Sequence, residues 1–326
     1  MKLRRIGTSD LYASTIAFGA WAIGGWKWGG TDARAAVKAI TAASEAGVNF
    51  IDTAPIYGFG LSEDLVGEAL KTRRREAFVI ATKCGLRWDI DGSNGEMLHA
   101  SSTPEQPIYR SNRPASIRAE CEASLTRLGT DYIDLFLTHW QDPNVPIAET
   151  MGEMLRLKEE GKIRAIGACN ASPEDLAAYR AEGPLDADQE LWNPLERAKS
   201  ANIAASKGAA FLAYSPMAQG LLTGKIDPAR VFPEGDVRHG NPKYTPDNRA
   251  RVATLLDRVA PIAAAHSARI EHVFLAWTLE QGVTHALVGA RNATQARSNA
   301  AAGALELTAS EKGRITKAVN AFGTLL

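Results

Sequence analysis

Short apolar, β-branched runs alternate with longer stretches whose apolar residues recur at helical spacing, from residue 15 to the C-terminal end. Eight of the short runs are predicted as strands: residues 15–19, 48–52, 78–83, 132–139, 163–167, 188–191, 210–214 and 285–289. The sixth is the weakest, because polar residues interrupt it. Helices are predicted between the strands, among them 32–46, one opening at Ser62-Glu63, and 114–128. Eight such units with no linker between two halves predict an α/β fold, a (β/α)8 or TIM barrel, rather than a pair of Rossmann units. One domain covering residues 1–326 follows. Two short segments, 2–5 and 12–14, are expected to form a β-hairpin capping the barrel bottom, and an extra helix at 310–322 to pack outside. The connections 85–113 and 216–247 far exceed the usual 2–6 residues of a βα loop. Both follow strands, so both belong to the C-terminal face, where barrels build their sites.

Composition narrows the ligand class. Lys plus Arg and Asp plus Glu both number 37, and no basic stripe stands out, which argues against nucleic acid as partner. Small neutral or anionic metabolites fit better. The basic start has no apolar run behind it, so it is not read as a signal peptide. No stretch approaches the roughly 18–20 apolar residues of a membrane span. The three scattered cysteines, Cys84, Cys121 and Cys169, suit a reduced, cytoplasmic protein without disulfides.

The candidate chemistry lies where polar residues end apolar strands. Asp52 ends the second strand and Tyr57 follows five residues later; Lys83 ends the third and His139 the fourth. In a barrel all four converge on one mouth. A phenol titrates near ~10, and a nearby ammonium is expected to lower that by about 1–3. Lys83 supplies the cation, and Asp52 holds it charged and in place. His139 is suited to orient a carbonyl oxygen or to share the proton with Tyr57. Trp21 and Trp140 fall at the same mouth, while Trp26, Trp28 and Trp88 sit in loops able to fold over it. Trp277, on a helix, is read as core.

The segment Asp52-Thr53-Ala54-Pro55-Ile56-Tyr57-Gly58, the pairs Ser62-Glu63 and Val66-Gly67, and the run Leu125 to Asp134 resemble the aldo-keto reductases. Residues 161–167 and Tyr214-Ser215-Pro216 belong to the same pattern, and the likeness extends from Ile16 to Asn299. It implies a catalytic tetrad of Asp52, Tyr57, Lys83 and His139, with Tyr57 as general acid in carbonyl reduction. It implies a substrate site formed by Trp21, Tyr57, His139 and Trp140. It also implies NAD(P)H extended across the barrel mouth, with Asn170 and Gln189 holding the carboxamide and Tyr214 stacking on the nicotinamide. Ser215, Met217, Gln219, Leu222, Gly224 and Lys225 match the pyrophosphate loop, where a cation and backbone N–H groups suit phosphate. Gly289, Arg291, Gln295 and Asn299 match the segment around the 2′-phosphate and adenine. Arg291 favours NADP(H), since a guanidinium pairs with that phosphate; NAD(H) is the second cofactor. Cys169 stands where the family commonly has Ser, which implies a weaker bond to the carboxamide. Trp192 stands where Tyr is frequent, which implies an altered nicotinamide neighbourhood. The implied partner is a small carbonyl compound, a sugar or short hydroxy-aldehyde, acted on by a monomer or a homo-oligomer.

Two other readings stand beside this one: a nicotinamide-binding sensor with little turnover, and a metal-free barrel hydrolase or lyase using Asp52 and His139. Gly58-Phe59-Gly60-Leu61-Ser62-Glu63 imitates a dinucleotide fingerprint but has Glu63 where the third glycine belongs; it is read as the flexible turn presenting Tyr57. Asp89 to Gly95 imitates a calcium loop but lacks Gly at its sixth position and has Ala100 at its twelfth. The six histidines show no metal-ligand spacing, and Cys84 is read as a buried strand residue.

Overall fold

A computed structural model describes residues 1–91, 95–99, 102–103, 105–227 and 229–325. Eight parallel strands close into a barrel: β3 (Ile16–Gly19), β4 (Phe50–Asp52), β5 (Val79–Cys84), β9 (Ile133–Thr138), β10 (Ile163–Cys169), β11 (Ala187–Leu191), β12 (Ala210–Tyr214) and β13 (His285–Gly289). Around them lie α1 (Ala33–Glu45), α2 (Leu61–Leu70), α3 (Pro114–Leu128), α4 (Ile147–Glu159), α5 (Pro173–Glu182), α6 (Ser200–Ala205), α7 (Pro246–Ala265), α8 (Ile270–Thr278), α9 (Ala293–Ala301) and α10 (Ala309–Phe322). The fold is the expected (β/α)8 barrel. Each strand agrees with its prediction to within a few residues, as apolar runs buried on both faces should.

Local chemistry sets the helix ends. Pro114 opens α3 and Gly129, at φ 63°, closes it. Ser172 with Asp175, and Thr308 with Glu311, form reciprocal capping boxes on α5 and α10. The hairpin of β1 (Leu3–Arg5) and β2 (Tyr12–Ser14) is present. Its Ile6, Leu11 and Ala13 join Phe50, Val79, Leu135, Leu212 and Leu287 in one buried cluster inside the barrel, which plugs the bottom. Helix α10 packs outside, burying Ile315 and Val319 in a cluster with Val252 and Val259 of α7.

The weak sixth strand is fully formed. Asp188, Gln189 and Glu190 are all buried, tolerated because each finds polar partners. The first long connection carries a small antiparallel sheet of β6 (Leu86–Arg87), β8 (Tyr109–Arg110) and β7 (Glu96–Met97). The second, through Trp28↔Asp236, makes a bridge to the loop after β3. Residues 92–94 and Ala100 of the calcium-like stretch lie outside the described residues; within it Asp89 pairs with Arg87. Among the described residues no helix is long and apolar enough to cross a membrane. All three cysteines are buried and unbridged.

Candidate active site

Neighbouring strands bring Asp52 and Lys83 together. β4 pairs with β5, with Asp52 opposite Ala81, so the Lys83 chain reaches back across the barrel end toward Asp52. β5 pairs in turn with β9, and the backbone N–H of His139 donates to the Cys84 carbonyl at 2.8 Å, which places His139 at the same end of the barrel. Tyr57 comes from the turn after β4. There Gly58 (φ 74°) passes so close to Gly24 that a Cβ on it would lie 2.1 Å from the Gly24 carbonyl oxygen. A Cβ on Gly24 would meet the Tyr57 carbonyl oxygen at 2.3 Å. Two glycines therefore let backbone cross backbone and pin the segment that presents the phenol. The turn expected to be flexible is packed.

The four side chains form one site. Lys83 is fully buried, and its ammonium donates to both Asp52 oxygens at 2.9 and 3.0 Å, to the Thr53 carbonyl at 2.9 Å and to the Tyr57 hydroxyl at 3.3 Å. The Tyr57 and His139 rings meet edge to face, centroids 5.7 Å apart. Burial opposes the Lys83 charge, but Asp52 and Tyr57 together outweigh it and hold the ammonium above its ordinary pKa. Burial, followed by repulsion from Lys83, keeps His139 well below its ordinary value and hence neutral.

The expectation for Tyr57 is corrected. Burial is the largest influence and raises the phenol above its ordinary pKa; the Lys83 charge lowers it, but by less. The sequence pattern carried the neighbouring cation and not the depth of burial. A phenol held protonated in this way is a donor rather than a ready base.

A cavity of about 210 Å³ opens above this set. It is lined by Trp21, Tyr57, His139 and Trp140, all anticipated, and by Asn170, Gln189, Tyr214 and Cys169. Trp26, Lys27, Ile56, Leu86 and Val237 complete the wall; of these Trp26 was expected over the mouth and Ile56 belongs to the Asp52–Gly58 segment, while the other three carried no sequence signal. Trp28 packs edge-on against Trp21, and Trp88 against Phe59, so both support the wall from behind.

The amides at the mouth are already ordered. Asn170, at φ 56°, donates to the His139 carbonyl at 2.9 Å and accepts from the Tyr214 hydroxyl at 2.8 Å. Gln189 donates to Asp52 at 2.8 Å. Cys169 touches both amides, accepting from Asn170 at 3.2 Å and facing the Gln189 oxygen at 3.6 Å. Trp192 corrects a second expectation. It stacks on Trp277 at 5.9 Å and donates to Ser200, away from this cavity, in the layer between barrel and helices.

The residues expected to bind the phosphates and adenine of a dinucleotide lie on the loop after β12 and from the end of β13 into α9. Ser215, Ala218, Gln219, Gly220 and Gly224 all have positive φ, giving a tightly curled backbone of the kind that forms anion-binding concavities. The Met217 and Leu222 side chains are buried in the apolar core, so only their backbone could face a phosphate. Lys225, expected as the cation there, is paired with Glu271 at 2.7 Å. Gly289, Arg291, Gln295 and Asn299 form one rim: Asn299 donates to the Gly289 carbonyl, and Arg291 N–H to the Gln295 side chain. The Arg291 guanidinium donates to the Trp28 and Gly30 carbonyls. Amides, an aromatic wall, curled backbone and an exposed guanidinium in this sequence are a donor set that fits a nicotinamide dinucleotide. Among the described residues no group of three or more His, Cys, Asp or Glu is placed to hold a metal.

Other residues of the resemblance are structural. Buried Glu63 accepts from Thr82 and pairs with Arg127, tying α2 and α3 to β5, and buried Asp134 pairs with Arg75 and Arg164.

Comparison with known proteins shows the family. The aldo/keto reductase family model matches residues 15–320. The chain is 39% identical over 311 residues to the NADH-specific methylglyoxal reductase of Escherichia coli (strain K12), covering 93% of each chain. It is 37% identical over 301 residues to an aldo-keto reductase of Bacillus subtilis (strain 168), covering 90% of this chain and 86% of that one. The solved structure of a glycerol dehydrogenase from Gluconobacter oxydans superposes with a TM-score of 0.87 at 36% identity, covering 98% of this chain and 95% of the other.

Proposed function

Because this chain belongs to the aldo/keto reductase family, and is an oxidoreductase interconverting carbonyls and alcohols with a nicotinamide cofactor, we propose that Tyr57 is its proton donor and that its substrates are short. The observation carrying this reading is the Lys83 ammonium, bonded at once to Asp52 and to the Tyr57 hydroxyl beneath the cavity. When bound, the reduced nicotinamide supplies hydride to the carbonyl carbon. Tyr57 gives its proton to the carbonyl oxygen. Lys83 then stabilises the phenolate left behind, and Asp52 keeps Lys83 charged and aimed. Neutral His139 offers an N–H to the same oxygen, so polarisation and proton transfer act on one atom.

Asn170 and Gln189 would hold the carboxamide and Tyr214 the ring face, with the curled segment 215–225 beside the phosphates. NADP(H) is the preferred cofactor in this reading, with NAD(H) accepted. Support comes from the exposed Arg291 guanidinium at the start of α9, whose first turn carries no acidic residue. The NADH-specific relative makes this the point that most needs testing. The cavity of about 210 Å³, which the nicotinamide would share with the substrate, is walled by Trp21, Trp26 and Trp140 and so suits short hydroxy-aldehydes, small sugars or dicarbonyls. Relatives named for methylglyoxal and for glycerol point the same way. Residues 1–326 act as one domain, and three buried thiols are in keeping with a reducing, cytoplasmic setting.

The test is a screen of NADPH and NADH oxidation against short aldehydes, ketoses and dicarbonyls, with the reverse screen on polyols and aldoses. Turnover of small carbonyls with a lower KM for NADPH is expected. Binding of cofactor without turnover across the panel would replace this reading with the sensor.

A further inference from the structure

Behind the cavity, on the outer face of β11, lie two carboxyl groups that the chemistry above does not use. Side chains alternate along a strand, so Gln189 faces the mouth while Asp188 and Glu190 face α6. Both are completely buried. Asn202 of α6 reaches both, at 3.5 Å from Asp188 and 3.4 Å from Glu190, and Ser206 donates to Asp188 at 3.1 Å. Glu190 Oε1 accepts the Ala171 N–H at 2.7 Å. Its other oxygen lies 3.3 Å from the Lys199 ammonium, near enough for charge pairing but off the direction of a hydrogen bond. Asp188 Oδ1 has no hydrogen-bond partner. Lys199 and Asn202 both donate to the Ala171 carbonyl, at 2.8 and 3.0 Å.

The cluster therefore clamps Ala171 by its N–H and its carbonyl. Ala171 follows Asn170, the left-handed residue whose own N–H donates to the Gln189 carbonyl at 3.1 Å. Two carboxyls in one dry site do not both ionise readily when they share one ammonium. With one proton held between them, the charges of Asp188, Glu190 and Lys199 balance. Across the strand, on the cavity side, Cys169 and Tyr214 feel the charge of the pair, and burial raises both above their ordinary values.

We propose that Asp188 and Glu190 are positioning residues that share one proton, and that this protonated clamp holds Asn170 and Gln189 in their cofactor-binding geometry. Loss of the proton leaves two buried negative charges against one positive, loosens α6 from Ala171, and weakens nicotinamide binding. Burial raises both carboxyls above the ordinary carboxylate range, and the charge of Asp188 raises Glu190 further. Raised pKa values mean that the clamp is intact while the pair keeps its proton and fails as pH rises far enough to remove it. The proposal rests on Asn170 and Gln189 being the carboxamide ligands.

The experiment is a fluorescence titration of NADPH and of NADH from pH 6.5 to 9.5. The wild-type protein should lose affinity toward the alkaline end of this range, by up to about tenfold per pH unit for one linked proton. Glu190→Gln keeps an acceptor for Ala171 and removes the charge, so its profile should be flat. Asp188→Asn, leaving one carboxylate opposite one ammonium, should be flat as well. ADP-ribose, which lacks the carboxamide, should show no such profile on the wild type. Asn170→Ala separates the two claims. If it binds NADPH as well as the wild type, the carboxamide reading fails. If it binds weakly while Glu190→Gln and Asp188→Asn keep the wild-type pH profile, the shared proton alone is refuted.

Discussion

Replacing Lys83 by Met removes the ammonium while keeping most of the side-chain volume. The buried Asp52 carboxylate then keeps only the Gln189 amide of the side-chain donors described above. Breaking one side of a buried ion pair costs about 3–5 kcal/mol, because the surviving charge stays desolvated. For 326 residues the unfolding entropy is about 0.7 kcal/mol/K, which converts that loss to a Tm lower by roughly 4–7 °C. The phenolate of Tyr57 also loses its counter-charge, so turnover should fall by about 10²–10⁴ with little change in NADPH affinity. Adding Asp52→Asn should restore most of the Tm, since no uncompensated charge remains, and leave turnover low. Calorimetry and steady-state kinetics on the three variants measure both effects. A single variant as stable and active as the wild type, or a double variant no more stable than the single, would refute the reasoning.

Other outcomes follow from the same geometry. Arg291→Ala should raise the KM for NADPH far more than that for NADH; an unchanged ratio in paired kinetics would remove Arg291 as the phosphate ligand. Trp192→Ala should cost about 3–5 kcal/mol of stability in denaturant titration, as buried aromatic truncations do, while NADPH affinity stays as in the wild type. His139 is held below its ordinary pKa by burial and by Lys83, so it is already neutral at pH 6.5. The pH dependence of kcat/KM should therefore show no step near 6.5 that His139→Gln abolishes.

Strand ends were the most legible feature of the sequence. Asp52, Lys83 and His139 each close an apolar run, and a barrel sends all such ends to one face. The sixth strand was faint because Asp188 and Glu190 occupy positions that apolar residues usually fill. What rescues it, the polar side of α6, lies more than ten residues away. Strand parity explains the correction at Trp192: counting on from inward Gln189, positions 190 and 192 fall on the outer face, whatever their nearness in sequence. Lys27 and Val237 could not be read as neighbours, because a single bridge, Trp28↔Asp236, joins loops some two hundred residues apart. The direction of the Tyr57 shift failed for a related reason. A local motif specifies which charge is near, whereas burial is a property of the closed cavity.

The most direct measurement is turnover and cofactor affinity of Tyr57→Phe, which deletes one hydroxyl and leaves the ring against Trp21 and His139. The account predicts carbonyl reduction slowed by about 10²–10⁴, with NADPH bound as tightly as by the wild type. A variant that reduces carbonyls at the wild-type rate would contradict it.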